Sequence, residues 1–93
     1  MTDLQCPATA ILLAAGAEPP SWLARRRVAA RFDLTDPCDV SAVVEETADR
    51  FRGETFVVVA PSGAITLALR RWGLPGGPPL LVDVDSDGWR LAP

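Results

Sequence analysis

Two runs of apolar residues have the pattern of strands that are covered on both faces of a sheet. The first run spans residues 10–15 and ends at Gly16, and the second spans residues 55–60 and is rich in β-branched side chains. Continuous apolar runs of this length are typical of the central strands of parallel sheets. We therefore predict that both runs lie in the middle of a sheet.

Two other segments have the three- and four-residue spacing of amphipathic helices. In residues 38–52, the apolar positions that share one stripe are Val40, Val43, Val44, Ala48 and Phe51. Asp36 is the predicted N-cap, Pro37 suits the first helical position, and Gly53 suits a left-handed stop. The second helix is predicted to start at the turn residues 61–63 and to end at Gly73.

Shorter signals complete the pattern. Residues 1–8 are predicted to be a flexible lead-in, residues 22–27 one or two helical turns, and residues 28–34 a strand. In residues 80–85 apolar and acidic positions alternate, which is typical of a strand with one solvated face. Residues 89–91 can return antiparallel at the edge of the sheet.

Alternation of strands and helices predicts the α/β class. We expect a small, mostly parallel sheet of 4–5 strands with 2–3 helices and an antiparallel C-terminal edge strand. The chain has 93 residues, which is enough for one domain and too few for two. Residues 1–93 are therefore predicted to form a single domain.

The composition of the chain argues against several classes of function. The chain has no His, Lys, Tyr or Asn, and its net charge is −3. The commonest general base, Schiff-base lysines and His-ligated metal sites are therefore excluded, and we predict no cofactor and lean against an enzyme. The acidic balance argues against nucleic acid as a partner, and no apolar run is long enough to span a membrane. All nine cations are arginine, and the cluster at residues 25–27 and Arg31 is expected to be a solvated face.

The compartment and the redox state of the cysteines follow from simple signals. The first residues contain no basic region of the kind that opens a secretory signal peptide, so a cytoplasmic location is expected. Cys6 and Cys38 lie far apart in sequence, and two reduced thiols are expected there.

An anion-binding site is a candidate at the carboxyl ends of the two apolar strands. Ligands of open α/β sheets bind beyond these ends. Gly16 follows the first strand, and Ser62 and Gly63 open a helix whose free amides can face an anion. The alternative is that Ser62 only caps its own helix.

Two further features each have two interpretations. Asp83, Asp85 and Asp87 match the first half of a calcium loop, but alternation explains the first two as a solvated strand face and the third as part of a turn. Trp22 and Trp89 fit no clear core stripe. If they are partly exposed, they suit a protein interface together with arginine; the alternative is that they fill the core.

Residues 38–93 resemble the C-terminal half of the histidine phosphatase (phosphoglycerate mutase-like) superfamily. The resemblance rests on a Gly-Glu-Thr turn at residues 53–55, the apolar strand that follows, the Pro-Ser-Gly turn at residues 61–63, and Gly-Leu-Pro at residues 73–75. The first apolar run is similar to the first strand of that family, which ends in Arg-His-Gly. The resemblance therefore implies the same α/β sheet with its site at the strand ends.

The departures from that family concern its catalytic residues. Ala14 and Ala15 stand where the family has the arginine and the phosphate-carrying histidine, and Ser62 replaces the second histidine. The resemblance thus implies a truncated remnant that cannot form phosphohistidine. A second resemblance, to STAS-type regulatory domains, rests on Ala-Pro-Ser at residues 60–62 and on residues 69–74, but their phosphorylation loop is missing.

From these observations we predict a non-catalytic α/β domain that acts by binding a protein partner or by self-association. The alternatives are a domain that binds a small anion or phosphometabolite at Gly16, Ser62 and Gly63, and a STAS-like regulatory module. A hydrolase that uses carboxylates alone is a weaker alternative, because no pair of carboxylates is placed beside a strand end.

Overall fold

The structure is a computed structural model that describes residues 7–34, 39–85 and 88–91. Within these ranges it contains five strands, two α-helices and one short 3-10 helix. In chain order they are β1 (Ala8–Ala14), the 3-10 helix (Ser21–Arg25), β2 (Ala30–Asp33), α1 (Val40–Arg50), β3 (Thr55–Ala60), α2 (Ser62–Arg71), β4 (Leu80–Asp85) and β5 (Gly88–Leu91).

The five strands form one mixed sheet in the order β2-β3-β1-β4-β5. β3 pairs in parallel with both β2 and β1, while β4 is antiparallel to β1 and β5 is antiparallel to β4. The predicted α/β class, the strand number and the antiparallel C-terminal edge strand are confirmed. β1 and β3, which are the two apolar runs, lie in the middle of the sheet.

The direction of β4 follows from the loop that precedes it. Trp72, at the end of α2, lies against Gly88, which is beside the amino end of β1. Leu80 pairs with Leu12 near the carboxyl end of β1. Residues 73–79 therefore carry the chain back along the sheet, a path of roughly 20 Å that seven extended residues can span. A strand that starts at that end must run opposite to β1.

Most of the core lies between the sheet and the two helices. Alternate residues of each strand point to this face, and the aliphatic inner sides of both helices pack on them. The largest fully buried side chains of this layer are Leu12, Val44, Phe56, Val58, Ile65, Leu69 and Val82. The predicted stripe of α1 is confirmed at Val40, Val44 and Ala48, which are buried in this layer.

The opposite face of the sheet has a thinner cover. Its buried centre consists of Ile11, Leu13 and Val57. Partly buried side chains of the segment between β1 and β2, including Trp22 and Leu23, pack on it, and the 3-10 helix contains no fully buried residue. The connection from β1 to β2 and the connection from β2 to β3 run in opposite directions across the sheet. Because crossover connections share one hand, these two must lie on opposite faces of the sheet.

The start of α1 differs from the prediction. Asp39, and not Asp36, is the N-cap: its side chain accepts a hydrogen bond from the Ala42 N–H at 3.3 Å. Both aspartates precede the same apolar stripe, and the helix begins only where Val40 can reach the core. Asp36 and Pro37 lie outside the described residues. Gly53 has the predicted left-handed conformation, with a φ of +78°. However, α1 already ends at Arg50 with Phe51 as its C-cap, so the helix stops before the predicted residue 52 and Gly53 lies one position beyond the expected one.

The end of α2 agrees with the prediction. Gly73 has a φ of +70°. Its N–H donates to the Arg70 carbonyl at 3.0 Å, and the Leu74 N–H donates to the Leu69 carbonyl at 2.9 Å. These two bonds define a Schellman motif, and Leu74 packs on the core beside it.

The structure shortens the predicted lead-in, places Trp89 in the core, which was one of its two interpretations, and places β4 inside the sheet. The lead-in does not reach Ala8, which is completely buried as the first residue of β1 because it pairs with Val84. Trp89 is only 5% exposed, since its strand position places it on the helix side of the sheet. β4 is not an edge strand, because β5 covers its outer side. No helix among the described residues is long and apolar enough to cross a membrane.

Candidate functional site

The structure brings the predicted anion-binding residues to the same edge of the sheet. Ala14 and Ala60 are paired at the ends of β1 and β3. The Ala15 N–H then donates to the Ala60 carbonyl at 2.9 Å, which holds the turn at Gly16 (φ +82°) beside the start of α2. The carboxyl ends of the two central strands therefore form one exposed rim.

Ser62 does not cap its own helix. The N-cap of α2 is Pro61, and its carbonyl accepts hydrogen bonds from the Ala64 and Ile65 N–H groups. No side-chain cap bond is present at this end, and Ser62 and Gly63 are both exposed. The first turn of α2 is thus exposed at Ser62 and Gly63, where an anion can be bound by the helix terminus.

The acidic residues of the calcium-like motif are engaged with other side chains. The Thr9 hydroxyl donates to Asp83 Oδ1 at 3.0 Å, and Arg90 forms an ion pair with Asp85 at 2.7 Å. Asp87 lies outside the described residues. Among the residues that the structure describes, no three Cys, Asp or Glu side chains are grouped so that they could hold a metal ion.

A groove of about 750 Å³ lies between the start of α1 and the length of α2. Sequence reasoning did not identify it, because the groove depends on how the two helices pack. Its apolar lining consists of Val40, Pro61, Ala64, Leu67 and Ala68. Its polar rim consists of Asp39, Ser41, Arg70 and Arg71.

Leu67 is the most exposed large apolar side chain among the described residues, at 68%. Its neighbours Ile65 and Leu69 point into the core and are fully buried, so Leu67 lies on the outer side of α2. The only sequence signal for this exposure is that Leu67 falls off the inner stripe of the helix.

The charges at the rim of the groove are unevenly paired. Arg71 forms an ion pair with Asp39 at 3.3 Å, and this bond links the end of α2 to the N-cap of α1. Arg70 is exposed and makes no ion pair with any described residue. The groove therefore offers an apolar floor with an unneutralised guanidinium at its border.

A second cleft, of about 280 Å³, lies at the other end of α1 and is lined by Trp72 and Trp89 together with Glu45, Asp49 and Arg52. Asp49 is already paired with Arg52 at 3.1 Å. This cleft is smaller than the groove, and charged groups make up much of its wall.

The arginine cluster is exposed, as expected of a solvated face. Arg25, Arg26 and Arg27 are all exposed and form no ion pair with a described residue. The Arg26 guanidinium lies 5.9 Å from the ring centre of Trp22, within cation–π distance. Trp22 itself is half-buried on the thin face of the sheet.

Comparison of the chain with protein-family models, with curated proteins and with solved structures finds no match. The resemblances to histidine phosphatases and to STAS domains therefore rest on the sequence motifs alone and stay predictions. The groove between α1 and α2 is larger than the cleft at Trp72 and Trp89, and its lining is mostly apolar.

Proposed function

We propose that this chain is a non-catalytic protein-binding domain. The groove between α1 and α2 binds a segment of another protein that carries an aliphatic or aromatic side chain and a nearby carboxylate. The observation that carries the proposal is the exposure of Leu67 inside a groove with an apolar lining.

Burial of the apolar lining drives binding in this proposal. Leu67 is exposed on the outer side of α2. The side chains of Ala64 and Ala68 beside it are small, which leaves space for an inserted side chain. Covering a large aliphatic side chain of this kind contributes about 1.5–3 kcal/mol. Such grooves accept amphipathic segments, whose apolar side chains repeat on one face.

The rim determines which segment binds. Arg70 has no carboxylate partner among the described residues, while Arg71 is shared with Asp39. A carboxylate of the partner can pair with Arg70 and can compete for Arg71. A basic segment would add repulsion at the same place, so the proposed partner is acidic as well as apolar.

Binding without catalysis agrees with the inventory of side chains. The chain has no His, Lys or Tyr. Among the described residues that line the groove, the single carboxylate is Asp39, which is already paired with Arg71. We place the domain in the cytoplasm, where reduced Cys6 and Cys38 are expected.

Selection from a library of random peptides displayed on phage tests this function. We expect the selected peptides to share an apolar position and a nearby Asp or Glu. Their affinity should fall at least about tenfold for Leu67→Asp and for Arg70→Glu, and peptides with Lys in place of the acidic residue should recover affinity for Arg70→Glu.

The matched control is Arg25→Glu, which makes the same charge change on an exposed arginine away from the groove. Peptides that bind Leu67→Asp and the unaltered protein equally would show that the groove is not the binding site. Selection of no peptide that depends on Leu67 would contradict the proposal in the same way.

A second candidate function is binding of a small anion at Gly16, Ser62 and Gly63. The observation that favours it is that Ser62 is exposed in the first turn of α2 and that Pro61, not Ser62, is the N-cap. It follows the histidine phosphatase resemblance, in which Ala15 and Ser62 replace the two histidines. Millimolar phosphate should then raise the Tm of the protein and leave that of Ser62→Ala unchanged; no shift in either protein would remove this candidate.

A further inference from the structure

β2 is an edge strand with one uncovered side. It pairs with β3 along residues Ala30–Asp33, and no described residue lies on its outer side in the sheet. Arg31 and Asp33 are exposed on the face opposite the helices, where they form an ion pair with each other at 3.3 Å. An edge of this kind is a template for another strand.

The backbone groups that face outward can be assigned from one hydrogen bond. The Leu34 N–H donates to the Val59 carbonyl of β3 at 2.7 Å. Successive residues of a strand direct their N–H and C=O groups to alternate sides. Within the regular register of Ala30–Asp33 the groups of Phe32 therefore face β3, and those of Arg31 and Asp33 face the open side. The Ala29 N–H also donates to β3, at the Thr55 carbonyl (2.8 Å), but Ala29 lies before the strand and outside this alternation.

We propose that a second copy of this chain pairs antiparallel with β2, on a two-fold axis that passes beside Phe32. In this register Arg31 lies opposite Asp33 of the second copy, and the reverse pair is identical by symmetry. Both are hydrogen-bonded pairs, because the backbone groups of both residues face outward. The result is one continuous sheet that runs through two copies.

The side chains are complementary in the same register. Each arginine of the strand faces an aspartate, which is a favourable cross-strand pair. The two Phe32 residues form the non-hydrogen-bonded pair at the axis, where side chains approach most closely. Phe32 already contacts Phe51 and Phe56 at ring distances of 6.3 and 6.5 Å, so the pair extends an existing aromatic cluster.

The parallel alternative lacks this complementarity. In a parallel, in-register arrangement Arg31 would face Arg31 of the second copy, and Asp33 would face Asp33. Edge strands that avoid pairing often carry charges of one sign, which repel any copy of themselves. β2 instead carries one positive and one negative charge, on Arg31 and Asp33. These charges cancel within the strand, and they attract a second copy only when the two strands are antiparallel.

Charge exchange combined with sedimentation velocity tests the proposal. We expect the unaltered protein to form a weak dimer that is populated at about 0.1 mM and dissociates on further dilution, as expected of a small interface. Arg31→Asp and Asp33→Arg should each weaken the dimer at least about tenfold, because each puts like charges opposite one another. The double variant R31D/D33R should dimerise as the unaltered protein does.

Mixing the two single variants is the sharpest measurement. Arg31→Asp has two aspartates in the strand, and Asp33→Arg has two arginines, so only the mixed pair is complementary in the proposed register. We expect a heterodimer in the mixture when neither variant alone associates. Arg25→Asp is the control for net charge, and circular dichroism confirms that each variant is folded.

The result that overturns the proposal is a monomer at all concentrations up to about 1 mM, or a dimer that is indifferent to both exchanges. Hydrogen exchange gives an independent measurement: the amides of Arg31 and Asp33 should become protected as concentration rises. The Phe32 amide, which is bound within one chain, should not change. Leu67→Asp should leave the dimer intact, which separates this inference from the function proposed for the groove.

Discussion

The indole ring of Trp72 stacks on that of Trp89, with ring centroids 5.9 Å apart and planes inclined by 16°. Trp72 closes α2 and Trp89 lies in β5, so the contact joins the last helix to the outer strand. Trp89 is 5% exposed, whereas Trp72 is 38% exposed. The inner ring therefore belongs to the core and the outer ring covers it.

Replacement of the two tryptophans should have unequal effects. Trp89→Ala removes a buried aromatic side chain and should lower the free energy of unfolding by about 3–5 kcal/mol. Trp72→Ala loses the stacking contact and some burial, and should cost about 1–2 kcal/mol. Urea unfolding followed by circular dichroism measures both. Equal losses would contradict the assignment of Trp89 to the core.

Trp89→Phe is the informative control for that pair. The indole N–H of Trp89 is buried and has no hydrogen-bond partner among the residues that the structure describes. A phenyl ring keeps most of the apolar contact and removes the unpaired donor, which offsets part of the lost burial. We expect Trp89→Phe to retain more than half of the stability that Trp89→Ala loses.

Gly88 should not tolerate a side chain. It has a φ of +133°, and a Cβ atom there would lie 3.1 Å from Cζ3 of Trp72. Gly88→Ala should therefore lower the stability by about 1–3 kcal/mol through backbone strain and crowding of the indole. Gly77→Ala is the matched control, because its Cβ would meet no atom within 4 Å. Similar Tm values for the two variants would contradict this prediction.

Asp39 has two separable roles, as the N-cap of α1 and as the partner of Arg71. Asp39→Ala loses both and should cost about 1–2 kcal/mol. Asp39→Ser keeps a capping oxygen and loses the ion pair, so most of the stability should return. Arg71→Ala should cost less than about 1 kcal/mol, because both groups of the pair are exposed to solvent.

Unfolding curves of these variants and of the double variant D39S/R71A measure the two roles. Additive losses for Asp39→Ser and Arg71→Ala would show that the ion pair contributes nothing measurable. Equal stability of Asp39→Ala and the unaltered protein would show that Asp39 is not the cap.

The Thr9–Asp83 hydrogen bond should contribute measurably to the pairing of β1 with β4. It is partly buried, spans 3.0 Å and joins residues that lie opposite each other across the two strands. Thr9→Val preserves the shape and leaves the carboxylate without this donor, so we expect a loss of about 1–3 kcal/mol. Thr55→Val, on the neighbouring strand, is the control. A loss no larger than that of the control would contradict the prediction.

Calcium should leave the protein unchanged. Asp83 is held by Thr9 and Asp85 by Arg90, so a cation would have to displace two existing interactions. We expect millimolar calcium to give no heat in titration calorimetry and no rise in Tm. A saturable heat that disappears in Asp83→Asn would revive the calcium interpretation of this motif.

Several elements could be predicted from sequence because local chemistry determines them. The run Thr55–Ala60 has only one reasonable structure, and its bounds are those of β3. The end of α2 was predictable because Gly73 and Leu74 supply the positive φ and the apolar contact that a Schellman motif needs. These signals do not depend on what the rest of the chain does.

Features that depend on tertiary packing were not predictable. The choice of Asp39 over Asp36 as the cap depends on where Val40 meets the core. The burial of Trp89 depends on its pairing with Val84, which places it on the helix side of the sheet against Trp72. The groove around Leu67 exists only because α1 begins beside α2, and no periodicity in the sequence encodes that distance.

The candidate anion rim was predictable in part. Strand order brings Gly16 beside Ser62, as expected for the carboxyl ends of neighbouring parallel strands. The role of Ser62 could not be predicted, because a serine at the start of a helix is usually its N-cap. Here Pro61 takes that position, and the hydroxyl is left in the first turn.

The two faces of the sheet are covered unequally, which indicates where local unfolding begins. Two α-helices cover one face of the sheet. On the other face, Ile11, Leu13 and Val57 are covered by a segment whose 3-10 helix contains no fully buried residue. Detachment of that segment would expose the face of the sheet that carries no α-helix, while both α-helices stay in place. We therefore expect the segment between β1 and β2 to unfold locally at a lower free energy than either α-helix, which hydrogen exchange would show as weaker protection of its amides.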